Sequence, residues 1–392
     1  GGNLDVTGAV KATAGDVAIG STADVATSLL SAGDTITISG SAKVSTTTSD
    51  ADNGILITSS GDVNLGAFTG QNVVARTATG DITVTNTDGG TGVVLLATGS
   101  GDDALTANDT VVHTVESGGG NDAVTITATG ATSSFKTEAG KDAVTLSAND
   151  AVTINLGLGD DTISVVADSE ATIDGGDGND TMTLATGNYA DDGLSFTNIE
   201  AVTHTGSVSI SAAQLANDNT FELNGGATLT IVGATGVANT MDASKVTGTI
   251  ENTSAVTFTG STKVDTITGS DMVDTVNAGA GDDIISGGGN LDILNGGDGN
   301  DTINGGASND TINGGNDADI LKGDGGADII TGGLGKDVIT GGSGNDKIVR
   351  NGDGTTDGLD TVLDFNDSGV DQIDLTTNNA NEGAAGTGYA EG

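Results

Sequence analysis

Between Gly260 and Val349 an aspartate recurs at every ninth position, the spacing in this chain that most plainly promises chemistry. Ten consecutive nonapeptides carry Asp at their sixth position: Asp265, Asp274, Asp283, Asp292, Asp301, Asp310, Asp319, Asp328, Asp337 and Asp346. The eighth position is aliphatic in all ten, from Ile267 and Val276 to Ile339 and Ile348. Glycine fills most first and second positions and half of the fourth, and the purest copy runs Gly296-Gly297-Asp298-Gly299-Asn300-Asp301-Thr302-Ile303-Asn304. This is the G-G-x-G-x-D-x-U-x pattern of a solenoid repeat. Glycine lets backbone carbonyls come close to a bound ion. Carboxylates beside carbonyls make a set of hard oxygen ligands, which suits Ca²⁺. Mg²⁺ would demand a tighter octahedron and keep its waters. Zn²⁺ would want His or Cys, and the chain has two His and no Cys.

The elements that must position these carboxylates follow from the repeat. Six residues form a turn and three a short strand, with the eighth side chain pointing inward and its neighbours outward. Two nonapeptides then make one flattened coil with a turn at each edge, and turns on one edge stack about 4.8 Å apart. One edge carries Asp265, Asp283, Asp301, Asp319 and Asp337, and the other Asp274, Asp292, Asp310, Asp328 and Asp346. The four gaps on each edge give room for about eight ions. Stacked carboxylates repel, and a thin core offsets little chain entropy, so the array is expected to be largely disordered without calcium and to fold on binding it. The copies are unequal. Position four is Lys263, Met272, Asn290, Ser308 or Asp317 in half of them, and position two is Ser261 or Ser270 in the first two. The Asp265 and Asp274 turns are therefore expected to be degenerate caps, and the turns with Gly281, Gly299, Gly326, Gly335 and Gly344 the best binders.

A sparser row precedes the array. Gly-rich turns end in Asp103, Asp122, Asp142, Asp161 and Asp180, and each step along this row spans roughly two nonapeptides. That spacing predicts one full coil per step with a calcium-type turn on one edge. The opposite edge carries turns such as Ser147-Ala148-Asn149-Asp150. Over residues 1–98, Gly15-Asp16, Gly33-Asp34, Gly61-Asp62 and Gly80-Asp81 each open an alternating strand, which fits a solenoid or a sandwich. Residues 186–259 break the period and read as a β connector, with a single helical turn at 211–216. The whole is an all-β chain: β-repeats over 1–98, a coil region over 99–185, the connector, a parallel β-roll or β-solenoid over 260–349, and capping strands over 350–392.

Composition narrows the function. The chain has 392 residues, of which 66 are Gly and none Pro or Cys, and its net charge is −44. Lys and Arg total 11 without a basic cluster, so nucleic acid is not an expected partner. No apolar stretch reaches about 18 residues, so no membrane span is expected. His113 and His204 stand alone in strand-like runs and are expected on strand surfaces. With no G-x-S-x-G, no H-E-x-x-H and aromatic residues at 2%, no catalysis is expected. The Gly-Gly opening and the Glu391-Gly392 end suggest a fragment or processed product of a longer chain.

The nonapeptides resemble the RTX (repeat-in-toxin) family, over 260–349 and, less closely, 99–185. The resemblance implies a parallel β-roll with calcium between turns, held by the sixth-position Asp carboxylates and by glycine carbonyls, here Gly279, Gly281, Gly297, Gly299, Gly333, Gly335, Gly342 and Gly344. Asp364, Asp371 and Asp374 lie in a stretch similar to the segment that follows the roll in such exoproteins. The Thr/Ala/Gly-rich texture is similar to RTX-type S-layer proteins of Gram-negative bacteria. It implies type I secretion, self-association into a two-dimensional calcium-dependent lattice at the cell surface, and a cell-surface polysaccharide as anchor. Two other readings are an RTX adhesin or biofilm exoprotein, and the calcium-folded secretion domain of an exoenzyme.

Overall fold

A computed structural model describes strand backbone between Leu4 and Ala97. It describes side chains at Ile57, for most residues from 99 to 349, and for 360–365 and 369–374. The described elements are strands, apart from the four-residue helix Ala212–Leu215. That helix is closed at its start by a capping box, in which the Ser211 N–H meets Gln214 Oε1 at 2.6 Å and the Gln214 N–H meets Ser211 Oγ at 3.3 Å. The chain divides into two compact units, 1–203 and 204–392.

In the first unit every assigned pairing is parallel. Leu4–Lys11 pairs with Val25–Ala32, and that with Val44–Ala51, so neighbours in a sheet are separated in sequence by a strand of the other sheet. This is solenoid topology and not the antiparallel pairing of a sandwich. Strands begin at Val17, Thr35, Val63 and Ile82, each directly after a Gly-Asp pair of the sequence. In His113–Glu116, Val152–Leu156 and Thr162–Val165 buried side chains alternate with more exposed ones. Phe135, Ile154, Ile173 and Phe196 pair in sequence along one sheet, and Val124, Val144, Ile163 and Met182 along the other; all are buried. The pairing offset is not constant: the step from Val124 to Val144 is one residue longer than the step from Phe135 to Ile154.

His113 and His204, expected on strand surfaces, are buried. The reason is parity. In His113–Glu116 the first and third residues face inward, so His113 shares the core row with Val115 and lies 6.4 Å from the Phe135 ring, centroid to centroid. His204 faces inward with Val202, its Nδ1 is 2.5 Å from the Gly206 carbonyl oxygen, and burial holds its imidazole below the usual histidine range.

In the second unit the nonapeptides wind at a constant offset of two repeats, with Thr302 opposite Ile320 and Ile293 opposite Thr311. Two parallel sheets result. Ile267, Ile285, Ile303, Leu321 and Ile339 form one inner row and Val276, Leu294, Ile312, Ile330 and Ile348 the other, none more than 5% exposed. This two-row core is the apolar interior of the array. Each side chain contributes about 1.5–3 kcal/mol by leaving water, and every coil repeats the same small gain. The seventh-position side chains point outward, and Ile284, Ile293, Ile320 and Ile329 are exposed.

Candidate metal centre

The sixth-position aspartates sit on the edges of this core, and their carboxylates turn inward. All ten are at most 1% exposed. On one edge the Asp283 N–H donates to Asp301 Oδ1 at 2.8 Å and the Asp301 N–H to Asp319 Oδ1 at 2.8 Å. On the other edge the Asp292 N–H donates to Asp310 Oδ1 at 2.8 Å and the Asp310 N–H to Asp328 Oδ1 at 2.7 Å. Each aspartate thus uses one oxygen to hold the coil before it. The other oxygen, Oδ2, is buried without a hydrogen-bond partner in Asp283, Asp292, Asp301, Asp310, Asp319, Asp328 and Asp346. In Asp301 that oxygen lies where a side chain on Gly296 would begin, and Asp310 stands in the same way over Gly305.

The glycines bring carbonyl oxygens into the same gaps. A methyl group on Gly299, whose φ is 129°, would land on the Gly281 carbonyl oxygen, and one on Gly297 would land on the Gly279 oxygen. Gly333, Gly335, Gly342 and Gly344 stand likewise over the carbonyls of Gly315, Asp317, Asp324 and Gly326. Second- and fourth-position carbonyls of one coil therefore face the next coil beside a row of carboxylates. Where position four is not glycine the backbone still bends: Asn290, Ser308 and Asp317 have φ of 68°, 85° and 72°, a conformation that disfavours side chains. Lys263 and Met272 do not enter it.

Left without a cation, this arrangement is electrostatically costly. Burial pushes the Asp292 carboxyl up to about 8, with repulsion from Asp274 and Asp310 adding and the Asp274 amide opposing. Burial likewise takes Asp310 and Asp319 to about 7, and Asp301 and Asp328 to about 6. Asp283 and Asp346 are raised in the same direction, also chiefly by burial. A divalent cation in the gap reverses this cost, because it compensates the charge that burial penalises.

The first two repeats give both carboxylate oxygens hydrogen-bond donors, although burial still pushes the Asp274 carboxyl up to about 7. The Ser261 N–H meets Asp265 Oδ2 at 2.6 Å, while Asn239 donates to Oδ1 from its backbone at 2.6 Å and from its side chain at 2.8 Å. The Ser270 N–H and hydroxyl reach Asp274 Oδ2 at 2.7 and 3.2 Å, and the hydroxyl also lies 3.1 Å from Oδ1. Serine at position two thus supplies donors where Asp283, Asp292, Asp301, Asp310, Asp319, Asp328 and Asp346 each leave an oxygen bare.

The first unit repeats the pattern on one edge. The N–H groups of Asp103, Asp122, Asp142 and Asp161 donate to Oδ1 of Asp122, Asp142, Asp161 and Asp180 at 2.7–2.9 Å. Gly120, Gly140, Gly159 and Gly178 stack over the carbonyls of Gly101, Gly120, Gly140 and Gly159. The Oδ2 atoms of Asp142, Asp161 and Asp180 are buried without a partner, and burial raises Asp142 and Asp180 to about 6. The row ends at Glu200, whose Oε2 accepts the Asp180 N–H at 2.7 Å. Asn239 closes its row at an offset of 26 residues, which is not a multiple of the nonapeptide, while Glu200 keeps the 19–20-residue step of its row but is not an aspartate in a Gly-x-Asp turn. The opposite-edge turn at 147–150 lies largely outside the described residues.

Among the described residues no three His, Cys, Asp or Glu side chains converge as a metal cluster. What converges is a carboxylate oxygen with backbone carbonyls, an all-oxygen set that fits Ca²⁺ and offers Zn²⁺ nothing. The orphaned Oδ2 atoms and the carbonyl-lined gaps over glycine are the observations that make the fit. The family model of the RTX calcium-binding nonapeptide repeat matches the chain at residues 172–189, 259–294, 287–321 and 313–348. No curated protein matches it.

Proposed function

From the premise that this chain belongs to the RTX family, whose nonapeptide repeats bind calcium, we propose that it is a secreted surface-layer protein whose folding and self-assembly into a two-dimensional lattice are gated by external calcium. The reading rests chiefly on seven buried aspartates of the two rows, Asp283, Asp292, Asp301, Asp310, Asp319, Asp328 and Asp346, whose Oδ2 atoms lack a partner. A chain built this way has a fold that depends on a solute abundant outside cells and scarce inside them. The gaps provide binding free energy that becomes folding free energy.

Self-association draws support from the sheet faces of the array. The outward seventh and ninth positions of all ten repeats hold no Asp or Glu, although the chain carries a net charge of −44. Ile284 and Ile320 on one face, and Ile293 and Ile329 on the other, are exposed beside threonines. Flat faces rich in β-branched side chains and free of carboxylates let strongly acidic chains approach one another without like charges meeting. In this reading the chain binds and builds and does not catalyse, and a cell-surface polysaccharide is its anchor.

Electron microscopy of the purified chain after calcium is restored tests the lattice. Ordered sheets are expected with calcium and none in EGTA. Monomers that persist at high concentration in calcium would overturn the lattice while leaving calcium-gated folding intact.

A further inference from the structure

Three of the nonapeptides end in asparagine directly before the glycine that opens the next: Asn295-Gly296, Asn304-Gly305 and Asn313-Gly314. Asparagine before glycine is prone to close on itself, because the glycine nitrogen reaches the side-chain amide with no Cβ in the way. Here the carboxylate rows require that glycine. A methyl group on Gly296 would meet Asp301 Oδ2, and one on Gly305 or Gly314 would meet Oδ2 of Asp310 or Asp319. Position nine carries no such demand: Thr268, Ser286, Lys322, Thr331 and Thr340 stand there in other repeats before the same glycine.

The fold holds these junctions closed. All three lie inside paired strands, Ile293–Asp298, Thr302–Ala307 and Thr311–Asn316. Asn295 pairs with Asn313, and Asn304 with Lys322, in parallel register. Where a first-position glycine lies just past a strand, its N–H donates across the ladder: Gly260 to the Asn277 carbonyl at 2.9 Å and Gly269 to that of Ser286 at 2.8 Å. Gly296, Gly305 and Gly314 hold the same position of the repeat within the ladder itself. Ring closure needs that nitrogen released and deprotonated, and the asparagine rotated out of the extended ψ of a strand. The side chains are restrained as well. Asn313 Nδ2 donates to Asn295 Oδ1 at 2.7 Å. Asn304 Oδ1 is buried without a hydrogen-bond partner, so no donor meets the charge it would gain under attack.

We propose that these three junctions are succinimide-forming modification sites, held closed by strand pairing and opened by loss of calcium. The inference rests on calcium-dependent folding of the array and is independent of any lattice. In the opened chain the glycine nitrogen gives its proton to a solvent base and attacks the asparagine Cγ. The new N–Cγ bond closes a cyclic imide, the Cγ–Nδ2 bond breaks, and the amide nitrogen takes up protons from solvent and leaves as ammonia. Water then adds to either imide carbonyl and opens the ring to aspartate or isoaspartate. Amide and water have become acid and ammonia, with no change of oxidation state. Aspartate puts a carboxylate on sheet faces whose outward positions hold none. Isoaspartate also adds a methylene to the backbone of a strand paired at a constant offset, which breaks its register with the next coil. The chain thereby keeps a record of time spent without calcium, and a modified array refolds poorly when calcium returns.

The test holds the full chain in mildly alkaline buffer with calcium, with EGTA, and with EGTA plus urea. Peptide mapping that separates asparagine, aspartate and isoaspartate gives the rate at 295, 304 and 313, and circular dichroism records folding in each buffer. A synthetic peptide of residues 301–306 in the same buffers supplies the rate of an open junction. With calcium the three sites should react at least about tenfold more slowly than the peptide, since a paired junction reacts only by opening. In EGTA and in urea they should approach the peptide's rate. Equal rates with calcium and with EGTA, when strand signal is lost in EGTA, overturn the proposal. So does a urea-unfolded chain that fails to react. Strand signal and slow reaction both retained in EGTA would overturn calcium-dependent folding and with it the calcium gate, while reaction in urea would uphold strand pairing as the closure. A variant with Asn295→Thr, Asn304→Thr and Asn313→Thr, aged in EGTA, should regain strand signal with calcium where the aged parent does not. Equal recovery of the two overturns the claim that the modification impairs refolding.

Discussion

Replacing Asp301 by Asn should change the stability of the array in opposite directions with and without calcium. Asn retains an oxygen for the Asp283 N–H, now bonded at 2.8 Å, so the link between coils survives. What changes is Oδ2, a buried anionic oxygen without a partner beside Gly296. Leaving such an atom unsatisfied costs about 1–3 kcal/mol, so in calcium-free buffer the variant should be more stable by up to that amount. In calcium the same change removes a charged ligand. An ion held at a hundred times its dissociation constant stabilises the fold by about 2.7 kcal/mol, and the variant should lose about that much. Urea titrations of the full chain, read by hydrogen exchange in peptides spanning 296–312, measure both arms. Destabilisation of equal size in both buffers would refute the reasoning, since the carboxylate would then act by hydrogen bonding alone.

Acidity should act through the same atoms. A carboxyl raised above its unfolded value of about 3.9 favours the metal-free fold below that pH and loses this contribution as pH rises through its folded value. With Asp292 near 8 and Asp310 and Asp319 near 7, the calcium-free array should gain strand signal by circular dichroism on acidification from pH 8 to 5, while the calcium-loaded array releases ions over the same range. Gly299→Ala places a methyl group on the Gly281 oxygen at a φ of 129° and should cost at least about 2 kcal/mol in urea unfolding. Gly289→Ala, whose nearest contact is 3.5 Å away, should stay within about 0.5 kcal/mol. Ser261→Gly with Ser270→Gly removes two hydroxyl donors from Asp265 and Asp274. Exchange at 261–277 in calcium-free buffer should then rise, and calcium should restore protection.

The array is legible in the sequence because each position of the nonapeptide has one physical task. The eighth position fills the core, the sixth carries the charge and the fourth must clear a carbonyl. The exceptions were harder to read. The serines at position two are visible as departures, but their role as donors to the buried carboxylates needs the distances to Asp265 and Asp274. Asn239, Asp360 and Asp371 join the rows at offsets of 26, 23 and 25 residues, where no fixed period leads to them, and Glu200 keeps its row's step but lacks the Gly-x-Asp turn. The histidines were misread because isolated polar residues in a strand suggest solvent, whereas the parity of Val115 and Val202 turns His113 and His204 inward.

The pairing offsets of the first unit have a consequence of their own. Its metal-type turns keep their Gly-x-Asp spacing while the offset between coils lengthens and shortens by a single residue, so the surplus falls on the other side of each coil. One margin is thereby held to a ruler and the other is released from it. Insertions can accumulate on the released margin without shifting a single strand.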